Sequence, residues 1–323
     1  VPELPEVETI RRQLEPRLAG CEIVDAGSHP SAKFAQAHEA IGCEITDLRR
    51  RGKYLLAGLA GPAEDHRGPA DDHLGSGGRP DPTRRRIHDD ETCPDDQGGP
   101  ECLGGADYPP DPGSRLELIV HLGMTGRLAA DRYTQEADPA AAYLRAWWRL
   151  DDGRTLTFHD VRRFGRVCVV AEGDYAAIPT LHRLGPEPFD PGFTGRGLAA
   201  FVRRSDRALK TILLGQRAVA GVGNIYADEA LWAAAINPTA RRLSPQRADR
   251  LVDALREALQ SGLDHGGTTL RDYYDSEGRA GTNRMRLRCY GRSGEECLRC
   301  GRELARRVID GRAGTWCPTC QAR

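Results

Sequence analysis

Four cysteines near the end of the chain constrain it most: Cys297-x2-Cys300 and Cys317-x2-Cys320, with 16 residues between the pairs. Each Cys-x2-Cys turn aims two thiolates at one point, and a tetrahedral zinc ion takes four. Gly301 and Gly311 allow tight backbone turns beside them. So short a segment cannot bury a core, so the metal would supply much of its folding free energy. Two disulfides or a redox pair are the competing arrangements; two evenly matched pairs and reduced thiols favour zinc. Four protein ligands leave no open position for water, so the expected Zn2+ is one structural ion. The other cysteines, at 21, 43, 93, 102, 168 and 289, lack such spacing and read mostly as buried free thiols.

A metal module of this size must be carried by something larger, and 323 residues allow two or three domains. No apolar run approaches the roughly 18 residues of a membrane span. The first turn-forming stretch carries Glu3, Glu6, Glu8 and Glu15 with no apolar segment, so neither a signal peptide nor a membrane partner is expected. The expectation is a cytoplasmic monomer. The net charge of -1 conceals a strong asymmetry. Residues 61–113 hold 13 acidic side chains against 5 arginines, whereas residues 279–323 hold 11 arginines against 4 acids. A basic C-terminal segment suits an anionic polymer, because each neutralised phosphate releases counterions. A solvated arginine-rich face has the same composition.

Leu4-Pro5-Glu6-Val7-Glu8 opens a helix, with Pro and acids in the first turn and apolar residues at Val7, Ile10, Leu14 and Leu18. Gly20 is its expected stop, and Pro16 is expected to bend the last turn. Strand-like runs follow at 21–26, 41–49, 53–60, 115–122, 126–130, 144–150, 154–159 and 166–171. Residues 61–113, with 10 Gly and 9 Pro, read as a long acidic disordered insert between two strands. Past Pro179 helical spacing takes over, at 181–184, 194–204, 208–213, 225–235 and 244–264. The fold class expected is an α+β multidomain chain. It comprises an N-terminal β-sandwich with a leading helix (2–172), a helical domain (180–288) and a C-terminal four-cysteine zinc finger (289–323).

Several motifs, taken in order, carry a resemblance. Pro2-Glu3-Leu4-Pro5-Glu6-Val7-Glu8 is followed by Arg51-Gly52-Lys53-Tyr54-Leu55, His121-Leu122-Gly123-Met124-Thr125-Gly126 and Asp160-Val161-Arg162-Arg163-Phe164-Gly165. Leu184-Gly185-Pro186-Glu187-Pro188, the stretch Ala220–Leu231 and the cysteine module complete the series. Together they resemble the formamidopyrimidine-DNA glycosylase family over nearly the whole chain except 61–113. The resemblance implies that the helical domain is a helix–two-turns–helix unit. It further implies a clamp on double-stranded DNA that carries an oxidised base or an abasic site. The implied activity is bifunctional base excision repair: a glycosylase for 8-oxoguanine and formamidopyrimidines, with abasic-site lyase activity by β,δ-elimination.

It also implies roles that simple chemistry supports. Pro2, as the N-terminal residue, is the Schiff-base nucleophile: a secondary amine attacking the sugar C1′ leaves an iminium with no N–H proton to lose. Val1 then reads as the literal translation of a GTG start codon, at which the cell would place Met and remove it. Glu3 is the proton donor beside it and Glu6 its support. Lys53, at a β-hairpin, donates a proton in β-elimination, and Arg312 contacts phosphate and acts in δ-elimination. Met124, Arg162 and Phe164 fill the hole left by a flipped base, with Arg163 beside them. Lys210 and Asn224 are expected on DNA phosphates, Asn224 at a glycine-flanked helix N-terminus that favours anions. Tyr273, Tyr274 and 278–286 lie where the family's base-covering loop occurs. Read without the resemblance, Met124 and Phe164 are ordinary core residues, Asn224 a helix cap and Glu8 a helix-dipole acid. Two other functions fit the same sequence: the sister branch acting on oxidised pyrimidines, and a non-catalytic zinc-finger DNA-binding protein if Val1 is retained. The acidic insert beside a basic clamp suggests a brake on non-specific binding; deleting 63–111 should then raise affinity for undamaged duplex, and unchanged affinity would reject the idea.

Overall fold

The structure, a computed structural model, describes residues 2–61, 115–133 and 140–322. The expected insert, with Cys93 and Cys102, lies outside the described residues apart from Gly61.

Helix α1 (Leu4–Leu18) begins with Pro5 in its first turn and includes Pro16 in its last turn. Position 16 is already in the last turn, where proline's missing N–H costs a single hydrogen bond. Gly20 follows with φ +82°, a left-handed residue that turns the chain into the first sheet. The helix serves two cores. Leu4 packs with the helical unit, whereas Val7, Ile10, Leu14 and Leu18 are sealed into the sandwich.

Eight strands build the sandwich: β1 (Ile23–Ser28), β2 (Glu44–Arg51), β3 (Tyr54–Ala60), β4 (Arg115–His121), β5 (Gly126–Asp131), β6 (Leu144–Leu150), β7 (Thr155–Asp160) and β8 (Arg166–Ala171). They form two four-stranded sheets, ordered β1-β6-β7-β5 and β2-β3-β4-β8. All their ladders are antiparallel. Each expected strand is present, shifted by at most a few residues. A 3-10 turn at Ala35–Ala40, absent from the sequence reading, plugs the sandwich with Ala37 and Ala40. The register β3–β4 pairs Tyr54 with His121, which brings the turn after β2 beside the loop after β4.

The second unit contains α2 (Pro179–His182), α3 (Gly195–Arg203), α4 (Leu209–Leu214), α5 (Asn224–Ala233) and α6 (Pro245–Asp264). Thr194 and Ser244 cap α3 and α6 through their hydroxyls. Leu251, Leu255 and Leu259 of α6 are fully buried against α5, as their stripe predicts. The finger ends in a hairpin that the sequence reading missed, β9 (Ala305–Ile309) and β10 (Arg312–Trp316). Its two-residue turn, Asp310-Gly311, has φ +44° and +76°, the left-handed pair that a tight hairpin requires. Among the six cysteines without metal spacing, Cys21, Cys43 and Cys289 are buried free thiols, as expected. Cys168 is disulfide-bonded instead. Among the described residues no helix is long and apolar enough to cross a membrane.

Candidate active site and nucleic-acid interface

Residue 2 is buried at the seam where α1 meets the helical unit. Its neighbour Glu3 crosses that seam. Its Oε2 accepts the Gly223 N–H at 2.6 Å and its Oε1 accepts the Ile225 N–H at 2.9 Å. Leu4 N donates to the Gly221 carbonyl at 3.0 Å. The glycines make this possible: a Cβ on Gly223 would sit 2.3 Å from Glu3 Cδ, and one on Gly221 would sit 2.6 Å from Leu4 Cβ. The close approach these glycines permit is that of Glu3 and Leu4, so any phosphate contact at this end of α5 falls to the Asn224 side chain. The anion at the N-terminus of α5 is the protein's own Glu3 carboxylate, favoured there by free N–H groups and the helix dipole. Gly223, and not Asn224, is the cap residue; Asn224 opens the helix, with its side chain beside Tyr290.

Glu6 is the second buried acid. Its Oε2 accepts the Glu3 N–H at 2.8 Å, the amide bonded directly to residue 2. Its Oε1 accepts the Tyr226 hydroxyl and the Thr268 N–H, both at 2.7 Å. Burial, and then the nearby Glu3 charge, push the Glu6 carboxyl up to about 6. Burial also raises Glu3, against the opposing pull of Lys53 and the two amides, so Glu3 holds its proton to higher pH than a free carboxyl. That suits a proton donor.

Lys53 lies at the tip of the β2–β3 hairpin, after Gly52 with φ +58°. Burial lowers its affinity for a proton, Glu3 and Glu6 restore part of it, and Arg312 lowers it further. Residues far apart in sequence, Glu3, Glu6, Lys53 and Arg312, thus form one electrostatic cluster. The hairpin tip is held from the other unit: Glu187 Oε1 accepts the Gly52 N–H at 2.6 Å, and Glu187 Oε2 accepts Arg50 Nη1 at 2.7 Å. Glu8 extends this bridge by pairing with Arg50, Arg11 and Arg12, so it is a hub of ion pairs and not simply a helix-dipole acid. His121, stacked near Tyr54 with centroids 4.7 Å apart, is driven down to about 4 by burial and by Lys53 and Arg166. It is neutral at working pH.

The expected void-filling residues emerge from two adjoining loops. Met124 lies between β4 and β5 and is half-buried. Arg162, Arg163 and Phe164 lie between β7 and β8 and are exposed, with the Arg162 guanidinium 4.7 Å from the Phe164 ring centroid. Asp160, fully buried, ties the two loops together: it accepts Thr125 Oγ1 at 2.5 Å, Gly165 N at 2.6 Å and Arg162 N at 3.2 Å. Gly123, with φ +63°, packs against the backbone of Phe164 and Gly165.

Lys210 does not take the expected exposed position. It is fully buried on α4, its Nζ 2.6 Å from Asp228 Oδ1 and donating to the Ala313 carbonyl at 2.8 Å. A charge inside the protein is stable only when paired, and this one is committed to α5 and β10. Its contact is with the finger hairpin that carries Arg312, an exposed residue. Asp228 also accepts the Thr315 N–H at 3.0 Å, and Glu229 accepts the amides of Arg288, Cys289 and Tyr290 at 2.9, 2.8 and 2.7 Å. These two acids of α5 dock the finger. Their roles, and those of Glu187 and Asp160, leave no local mark in the sequence. Nothing in local spacing marks a carboxylate that accepts amides dozens of residues away.

The Sγ atoms of Cys297, Cys300, Cys317 and Cys320 all lie within 4.8 Å of one another. Zn–S bonds of about 2.3 Å in a tetrahedron would place sulfurs about 3.8 Å apart. The cluster therefore fits zinc with little adjustment. Trp232 Nε1 donates to Cys297 Sγ at 3.4 Å and Cys320 N to Cys317 Sγ at 3.3 Å, both of which favour thiolates.

Residues 1–94 and 104–167 match the description "Formamidopyrimidine-DNA glycosylase N-terminal domain", and 184–274 match "Formamidopyrimidine-DNA glycosylase H2TH domain". Residues 294–323 match "Zinc finger found in FPG and IleRS". The chain is 39% identical to a formamidopyrimidine-DNA glycosylase of Thermus thermophilus, covering 99% of this chain and 98% of that one. It is 36% identical to that of Deinococcus radiodurans, covering 99% and 97%. The crystal structure of the MutM (Fpg) protein of Thermus thermophilus superposes with a TM-score of 0.76 at 38% identity, covering 100% of this chain and 99% of that one. The Lactococcus lactis Fpg in complex with abasic-site DNA superposes at 0.74 with 28% identity, covering 99% and 100%.

Proposed function

Because the chain belongs to the formamidopyrimidine-DNA glycosylase family, we infer that it is a base-excision-repair DNA glycosylase and abasic-site lyase acting on oxidised purines in duplex DNA. Pro2 is the nucleophile we assign. Its nitrogen forms a bond to C1′ of the damaged nucleotide while the C1′–base bond breaks and its electron pair leaves with the base. Glu3, whose affinity for a proton is raised by burial, donates to the sugar ring oxygen. The ring opens to a cationic iminium, which acidifies the C2′ proton. Loss of that proton expels the 3′ phosphate, and a second elimination expels the 5′ phosphate. Lys53 serves the first elimination and Arg312 the second, with Arg312 also on phosphate.

The observation that carries this assignment is the Glu3 carboxylate held by the Gly223 and Ile225 amides. It anchors the residue next to Pro2 at the seam, and the Glu3 carboxyl there feels the charge of Lys53. The chemistry requires that residue 2 bear the free amine. Met124, Arg162, Arg163 and Phe164 are assigned to the void left by the everted base, Asn224 to a phosphate, and Glu6 to support of the N-terminus. Lys210 is assigned to the positioning of Arg312 through the finger. The domains are taken as 2–172, 180–288 and 289–323. One structural Zn2+ is assigned to Cys297, Cys300, Cys317 and Cys320, where it supplies rigidity and no chemistry.

Borohydride trapping on a duplex with one 8-oxoguanine opposite cytosine tests the nucleophile. Native protein should yield an adduct that peptide mass spectrometry places on residue 2, and Pro2→Gly should yield far less. Absence of any adduct from protein that begins at Pro2 and binds the duplex would overturn the assignment.

A further inference from the structure

A line of hydrogen-bonded side chains runs from the segment 282–286, which the family resemblance puts over the damaged base, to the backbone of residue 3. Ser261 Oγ donates to Asn283 Oδ1 at 2.8 Å. Asn283 Nδ2 donates to Thr268 Oγ1 at 2.9 Å. Thr268 Oγ1 lies 3.1 Å from the Tyr226 hydroxyl, which donates to Glu6 Oε1 at 2.7 Å. Glu6 Oε2 accepts the amide that joins residues 2 and 3. Glu6, Tyr226, Thr268 and Asn283 are each 3% exposed or less.

The donor inventory fixes the direction of this chain. Tyr226 has one proton, and Glu6 takes it. Thr268 must then donate to the Tyr226 oxygen, which leaves its own oxygen free to accept from Asn283. Every proton therefore points toward Glu6, and aligned hydrogen bonds strengthen one another away from water. At the far end, Asn283 opens a short 3-10 turn, Asn283–Arg286, and its neighbours Arg284, Met285 and Arg286 are exposed, Met285 to 82%. The chain thus has one end under the exposed tip and the other on the peptide bond of the nucleophile.

We propose that Asn283, Thr268 and Tyr226 are positioning residues that couple seating of the damaged base under the 282–286 tip to the placement of Pro2 through Glu6. This rests on Pro2 being the nucleophile. None of the three touches the reacting atoms. A base seated under the tip presses Asn283 onto Thr268 and so steadies the Pro2–Glu3 peptide for attack.

Thr268→Val removes one hydroxyl at nearly constant shape, whereas Thr268→Ser keeps it. Single-turnover base excision from an 8-oxoguanine duplex is compared with strand cleavage at a preformed abasic site, which has no base to seat. Loss of one buried hydrogen bond should slow excision roughly tenfold in Thr268→Val. Cleavage of the abasic duplex should slow markedly less, and Thr268→Ser should recover most of the excision rate. Tyr226→Phe, one link nearer Glu6, should slow both reactions. Equal slowing of both by Thr268→Val, or no effect on either, would overturn the coupling. Equal loss in Thr268→Ser and Thr268→Val would do so too, because the hydroxyl would then be irrelevant. Native protein that traps no adduct at residue 2 is a different result, and it rejects the nucleophile assignment itself.

Discussion

At the scale of single residues, Glu6 ties chemistry to pH. Its carboxylate accepts three hydrogen bonds, and a proton on it turns one acceptor oxygen into a donor. With its carboxyl pushed up to about 6, excision should fall as pH drops through that value. Stability should move the other way. A carboxyl raised from 4.5 to about 6 by folding stabilises the protein most below pH 4.5 and loses that contribution as pH rises through 6. The difference amounts to about 2 kcal/mol for this buried group. Glu6→Gln should therefore be less active near neutrality and show a flatter stability curve between pH 4.5 and 6. Denaturant midpoints and single-turnover rates for the two proteins across that range provide the measurement. An unchanged pH profile in Glu6→Gln would assign the transition to another group, such as Asp228, which is also pushed to about 6 by burial.

At the scale of elements, the buried pair Lys210–Asp228 joins α4, α5 and β10. Lys210→Met leaves an unpaired buried carboxylate and should cost about 3–5 kcal/mol, most of it recovered when Asp228→Leu is added. Urea unfolding of the two singles and the double measures this. Were Lys210 a DNA contact, Lys210→Met would weaken binding with little loss of stability. The sequence made most elements legible because alternation and helical spacing are local signals; all eight sandwich strands and helix α6 were visible that way. The Asp310-Gly311 turn was not read as a hairpin because the flanking Arg306, Arg307 and Val308 are exposed and show no alternation. Glu3, Glu6, Lys53 and Arg312 stand in the family's motifs, but their convergence depends on long-range contacts no spacing encodes. The resemblance puts Lys210 on a DNA phosphate, and nothing in its local spacing announces the buried pair with Asp228.

At the scale of the whole molecule, the finger has its own small cluster of buried residues, formed by Cys289, Cys297, Leu304 and Cys317 against Trp232. Chelation of the metal should therefore unfold the finger while leaving the sandwich intact. Affinity for duplex DNA should collapse, and far-UV circular dichroism should retain the sheet signal. A sheet signal lost together with the metal would instead make the finger part of the global fold. The Glu187 bridge bears on the same scale. The tip that presents Lys53 belongs to one half of the protein, but the carboxylate holding it belongs to the other. Glu3 repeats the arrangement in reverse, rooted in the first half and fastened to the second. On the roles proposed for Glu3 and Lys53, neither half contains a working centre of its own, and catalysis depends on their alignment. On those roles the molecule is a two-key lock, and a small misalignment of the halves should disarm the chemistry before either half begins to unfold.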